Sequence, residues 1–106
     1  MRIYIIGDSP TRLKIGISED CQKRLRELQT GNPNLLTLYW ASDNLTKENA
    51  YVIEQLFHKK NNFRRIKNEW FELDLELAKA ELLLAVNSLG MEENIKHKFK
   101  QGFLKY

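Results

Sequence analysis

Apolar and polar residues alternate with a period of two in two early segments of the chain. Arg2-Ile3-Tyr4-Ile5-Ile6-Gly7 is built around β-branched and aromatic types, and Leu13, Ile15 and Ile17 alternate with Lys14, Gly16 and Ser18. Such alternation predicts two strands. The turn cluster Asp8-Ser9-Pro10-Thr11 between them makes an antiparallel hairpin. The period then changes to that of a helix. Ser18 is the expected N-cap, Glu19 and Asp20 fall in the first turn, and Cys21, Leu25 and Leu28 form the apolar stripe. Gly31 and Pro33 end it. The apolar and aromatic run from Leu35 to Ala41 reads as a third strand.

Thr46 is placed to cap a second helix over Lys47–Lys60, with Asn49 or Ala50, then Ile53, Leu56 and Phe57 facing the core. Trp70, Phe71 and Leu73 predict a short extended segment, with Trp70 and Phe71 assigned to the core. Asp74 caps a third helix, in which Leu75, Ala78, Leu82, Ala85, Val86 and Leu89 recur at helical spacing and Gly90 is the expected stop. Ile95, Phe99 and Phe103 suggest a short fourth helix. The expected fold is α/β: a small antiparallel three-stranded sheet flanked by helices, plus C-terminal helices. Residues 1–75 form the expected core, and 76–106 a helical extension packed on the same domain.

With 106 residues the chain is the size of one domain and can bury a real core. Its 42% hydrophobic and 29% charged residues match a soluble globular protein. No segment has the apolar length of a membrane span. The N-terminal apolar run is too short for a signal peptide, so an intracellular, cytoplasmic location is expected. Cys21 is alone, which excludes an internal disulfide and a cysteine metal cage.

The net charge of +3 conceals segregation. Lys59, Lys60, Arg64, Arg65 and Lys67 lie in a segment without acids, as do Lys96, Lys98, Lys100 and Lys105. An acidic stretch with Glu69, Glu72, Asp74, Glu76 and Glu81 separates them. Basic runs suit a polyanion, because each cation beside a phosphate releases condensed counterions. The same pattern also fits a solvated surface of mixed sign.

Arg2-Ile3-Tyr4, Lys14-Ile15-Gly16, Arg24 eight residues beyond that glycine, and Glu54 four residues after Ala50 resemble the GIY-YIG nuclease superfamily in order and spacing. The likeness covers about residues 2–75. The run through Glu54, His58 and Glu69-Trp70-Phe71 resembles its phage-type DNA-binding branch, which carries KIG in place of YIG. Arg2 replaces the glycine of GIY, and Lys14 replaces the tyrosine of YIG. The resemblance implies a GIY-YIG-like catalytic core over residues 1–75 and an endonuclease that hydrolyses phosphodiesters, expected of DNA. It implies Tyr4 as general base, Lys14 lowering its pKa, Arg24 stabilising phosphate charge and Glu54 holding Mg²⁺ or Mn²⁺. A phage or mobile-element setting suits it.

The chemistry asks for such groups. Phosphodiester hydrolysis needs a deprotonated water and neutralisation of the charge that builds on phosphate. A neighbouring ammonium favours a phenolate. Tyr4 and Lys14 sit on adjacent strands, but only the register decides whether they share a face. An arginine grips phosphate oxygens bidentately. A single glutamate suffices for magnesium, which keeps several waters.

Each residue also has a structural reading. Tyr4, taken in isolation, reads first as a packed strand aromatic, and Arg24, beside Lys23 and Arg26, also fits a helix surface residue. Glu54 is solvated or held for a metal. His58, one turn later, touches phosphate or a metal-bound water, or is a surface histidine; Glu69 has a similar status. Nucleic-acid contacts are expected from Lys23, Arg26, Lys59, Lys60, Arg64, Arg65 and Lys67. No separate reading module is recognisable, so specificity is expected from the loops, a homodimer or a partner protein. The alternative function is a non-catalytic DNA-binding module of the same fold.

Overall fold

The computed structural model describes the backbone of residues 1–101 and the side chains of residues 1–89. The chain runs β1 (Arg2–Ser9), β2 (Arg12–Ser18), α1 (Cys21–Gln29), β3 (Thr37–Ala41), α2 (Lys47–Lys60), a 3₁₀ turn (Asn62–Arg64), β4 (Arg65–Lys67), β5 (Trp70–Glu72) and α3 (Leu75–Gln101). The sheet has five strands in the order β3-β1-β2-β5-β4, all antiparallel, instead of the expected three. The two additional strands are three residues each. A strand that short shows too few alternations to stand out in a sequence. Backbone pairing with β2, at Leu13↔Phe71 and Lys14↔Trp70, makes the Trp70 segment a strand.

The sheet separates two layers of helix. Ile3, Ile5, Leu13 and Ile15 point to one face, where Ala50, Ile53 and Phe57 of α2, Ala78 and Leu82 of α3, and Phe71 complete the main core. Tyr4 and Ile6 point to the other face and pack with Cys21 and Leu36, flanked by Leu25 and Leu28 of α1. Both faces of β1 are thus buried, which is why Ile3 to Ile6 form an unbroken apolar run.

Thr46 caps α2 and Asp74 caps α3, as expected: the Thr46 hydroxyl accepts from the Asn49 N–H, and the Asp74 carboxylate from those of Glu76 and Leu77. The cap of α1 is Asp20, not Ser18. Asp20 is extended, and its carboxylate accepts from the Lys23 N–H at 3.0 Å, while Ser18 bonds the Asp20 backbone. Gly31, with φ of 80°, supplies the left-handed residue after α1.

Gly90 does not stop α3. A glycine inside a helix costs about 1 kcal/mol relative to alanine, which flanking helix formers offset, and the helix continues to Gln101. Ile95 and Phe99 thus belong to α3 rather than to a fourth helix, and Phe103 lies outside the described residues. Leu56 is 61% exposed rather than in the core. The apolar arc of α2 that meets the sheet is used up by Ala50, Ile53 and Phe57. No helix among the described residues is long and apolar enough to cross a membrane.

Candidate active site

The register of the first hairpin answers the question of faces. Tyr4 pairs with Gly16 and Ile6 with Lys14, so Tyr4, Lys14 and Gly16 share the face that carries α1. Arg12 has the same parity, as do its partner Glu72 and the Lys14 partner Trp70. Arg24 reaches this face from α1, and its Nε donates to the Tyr4 hydroxyl at 3.5 Å.

β5 begins only at Trp70, so beyond Lys14 the edge of β2 loses its strand partner. The Ile15 N–H still donates to the Glu69 carbonyl at 3.2 Å, but the Ile15 carbonyl meets His58 of α2, whose Nε2 lies 2.8 Å away. His58 is buried and packs on the Phe71 ring, so it is not a surface histidine. The bond anchors α2 to the edge of β2. Glu54, one helical turn earlier, is thereby carried to the open end of that edge and is 7% exposed.

Lys14 is also buried, and its ammonium pairs with Glu69 at 3.0 Å. Lys14 also stands 5.9 Å from the centre of the Trp70 ring. Trp70 is half-buried at the margin of the α1-side cluster and not a full core residue. Pairing with β2 places the indole on the face of Tyr4 and Lys14.

The electrostatics correct one expectation. Burial pushes the Tyr4 phenol above its ordinary pKa of 10.0. The Arg24 hydrogen bond and charge oppose that rise, while Glu69 and Glu54 add to it. The cation that acts on Tyr4 is therefore Arg24; Lys14 is engaged by Glu69. Glu54 is likewise raised above the ordinary carboxyl range, first by burial and then by the charge of Glu69, against smaller opposing effects of His58, Gln55 and Lys14.

A covered carboxylate beside a second carboxylate is a place where a cation relieves unfavourable charge. Glu54 therefore fits a hard divalent ion. No cluster of three or more metal-capable His, Cys, Asp or Glu occurs among the described residues. Such an ion would depend on Glu54 and on water for most of its shell, as magnesium commonly does.

The expected nucleic-acid contacts are dispersed. Lys23, Arg26, Lys59 and Lys67 are exposed. Lys67 pairs with Trp70 in the β4–β5 ladder and so joins the face of Tyr4 and Lys14. Lys60 lies 3.7 Å from Glu81 of α3. Arg65 pairs with Phe71 and sits over its ring, on the opposite face, and Arg64 stacks on Phe63. These three are not brought to Tyr4. Sequence reasoning left Arg12 out of the site, and weighed Glu69 beside His58 without pairing it with Lys14. A charge in a turn and a charge in an acidic stretch carry no local signal, and only strand register aligns them with Lys14.

No curated protein and no solved structure gives a significant match to this chain. A family model does match, over residues 1–87, which include all five strands, α1, α2 and the packed first half of α3. On that match the chain belongs to the T5orf172 domain family, a phage-type family that suggests an interaction with nucleic acid.

Proposed function

We propose that this protein is a divalent-metal-dependent endonuclease of the GIY-YIG kind, acting on the phosphodiester backbone of DNA. The observation that carries the proposal is the convergence at the open end of β2 of a buried carboxylate, Glu54, whose charge acts on Tyr4 and feels Lys14, with Tyr4, Arg24 and Lys14 from three other elements. A buried acid facing a phosphate site is unfavourable for simple binding, since like charges repel. It becomes useful when a cation stands between the two.

Glu54 would hold Mg²⁺ or Mn²⁺, which when bound supplies charge neutralisation at the phosphate and a more acidic water. Arg24 is permanently charged and directs its guanidinium to the Tyr4 oxygen, where it stabilises a phenolate and can also reach a phosphate oxygen. Tyr4 takes the proton from the attacking water. Its raised pKa keeps it mostly protonated near neutrality, so the base form grows as pH rises. Lys14, with Glu69, orients the charge on the opposite side of the site. His58 fixes the helix that presents Glu54.

A non-catalytic DNA-binding module is the second reading. One observation favours it: burial of the Tyr4 phenol raises its pKa above the ordinary value, which disfavours the base form. A plasmid-nicking assay with Mg²⁺, Mn²⁺ or chelator separates the two. Nicking that requires metal and Glu54 is expected; retardation of the plasmid without any nicking would select the binding module.

A further inference from the structure

The face that carries Tyr4 and Lys14 continues past Trp70 into a cleft of about 420 Å³, which the chemistry above does not use. That volume lies within the roughly 300–1,000 Å³ of small-ligand sites. Strand ends and loops line it. The end of β1 contributes Asp8 and the start of β2 Arg12, the α1–β3 connection Asn34, and the end of β4 with the turn after it Lys67 and Asn68, beside Trp70.

The wall, floor and rim of this cleft differ in chemistry. Trp70 offers a half-buried aromatic surface. The Asp8 side chain is only 13% exposed. One of its oxygens accepts from the Asn34 amide at 3.1 Å and lies 3.8 Å from Arg12 Nε. Its other oxygen is buried and has no hydrogen-bond donor. That buried oxygen is closed to solvent, so a ligand in the cleft meets the carboxylate edge that Asn34 and Arg12 flank, and a carboxylate floor rejects phosphate. It does accept N–H donors, as acidic side chains do from the cytosine amino group. The rim is basic: the Arg12 side chain is 55% exposed and Lys67 is exposed. Cations in that position suit backbone phosphates. Asn68 holds the rim in a left-handed conformation, φ 54°, which asparagine tolerates better than most residues.

From this juxtaposition of aromatic wall, carboxylate floor and basic rim, the geometry points to a nucleotide subsite for one unstacked, amino-bearing base. The base, with cytosine as the best fit, stacks on Trp70 and donates an N–H to Asp8. Arg12 and Lys67 hold the phosphates on either side. The inference rests on the reading of the chain as a nucleic-acid-binding protein. It places the bound base next to the cleavage site, because Trp70 is shared with Lys14. Thymine, which presents a carbonyl where cytosine presents an amino group, is disfavoured.

The test measures fluorescence anisotropy of labelled single-stranded oligo-dC and oligo-dT with the full chain. It is done with chelator in a Glu54→Gln background, so that cleavage plays no part. Oligo-dC is expected to bind about tenfold tighter, the scale of one well-made base contact. Asp8→Asn keeps the shape of the side chain and offers an N–H, so it should reverse the preference towards oligo-dT. Asp8→Ala should abolish the preference without reversing it. Trp70→Leu should weaken both ligands about fivefold or more, through lost stacking. Oligo-rC and oligo-rU repeat the comparison for RNA. Equal affinity for the two wild-type ligands, no binding of either, or a preference unchanged in Asp8→Asn would overturn the subsite. Plasmid cleavage by the wild type is scored separately. A dC preference without cleavage leaves the subsite standing and removes the nuclease, and cleavage without any preference does the opposite.

Discussion

The phenol ring of Tyr4 lies directly against the backbone of Gly16, its partner across the first hairpin. A Cβ at Gly16 would stand 2.6 Å from the ring carbon that bears the hydroxyl. This is a steric reason for glycine as the third residue of Lys14-Ile15-Gly16. It also fixes the Tyr4 oxygen where Arg24 can reach it. Gly16→Ala should destabilise the protein by about 1–3 kcal/mol through overpacking. It should also lower cleavage by displacing the hydroxyl. Thermal unfolding and nicking, measured together, check this; an alanine variant with both properties intact would show that the ring can step aside.

Glu54→Gln should abolish metal-dependent cleavage and raise stability at neutral pH. Because the carboxyl of Glu54 is raised in the folded state, the folded protein binds its proton more tightly than the unfolded chain does. Its ionised form thus costs stability above the folded pKa, and that cost disappears as pH falls below the unfolded value. The glutamine variant should gain about 0.5–2 kcal/mol at neutral pH, as removal of a functional strain often does. The gain should vanish at low pH. Denaturant titrations across pH would show it, and a variant less stable than wild type at neutral pH would contradict the burial argument.

Tyr4→Phe should lower the cleavage rate by about a hundredfold or more, the usual scale for loss of a general base. The fold should persist, since one hydroxyl with one long hydrogen bond is removed. In the wild type the rate should climb on the alkaline side of neutrality, because the Tyr4 pKa is raised. A flat profile between neutral and alkaline pH, with Tyr4→Phe still active, would remove Tyr4 from the chemistry.

Arg24→Gln should move that alkaline limb to higher pH, because the guanidinium is the cation that opposes the rise of Tyr4. Lys14→Met should move it much less. Its main effect is expected on stability, through the loss of the buried ammonium that pairs with Glu69. Stopped-time nicking across a pH series distinguishes the two; a larger shift in Lys14→Met would return the coupling to the lysine.

Arg12→Ala with Lys67→Ala should flatten the log–log salt dependence of DNA binding by about 1–2 units, since each cation near a duplex phosphate contributes about 0.9. Arg64→Ala with Arg65→Ala should flatten it less, because Arg65 lies on the opposite sheet face and Arg64 on Phe63. Anisotropy titrations at several salt concentrations decide this. The reverse order would place the DNA on the α2–α3 side.

The local elements and the choice of candidate site residues could be read from the sequence alone. Alternation predicted β1 and β2, Thr46 and Asp74 marked two helix starts, and the spacing of Tyr4, Lys14, Arg24 and Glu54 singled out four candidate residues. These are short-range properties, set by backbone propensity and by residue type. The tertiary structure decided everything that depends on which strands meet. Pairing with β2 turned Trp70–Glu72 into a strand and brought in Arg65–Lys67. The Tyr4↔Gly16 register put Tyr4 and Lys14 on one face. The bond from His58 to the Ile15 carbonyl delivered Glu54 to the open edge of β2. Tertiary packing also paired Lys14 with Glu69 and Tyr4 with Arg24 in place of the partnership expected from two neighbouring strands. A shift of one residue in register turns every side chain to the other face. Pairing between distant segments is set by packing of the whole core and leaves no trace in the local pattern.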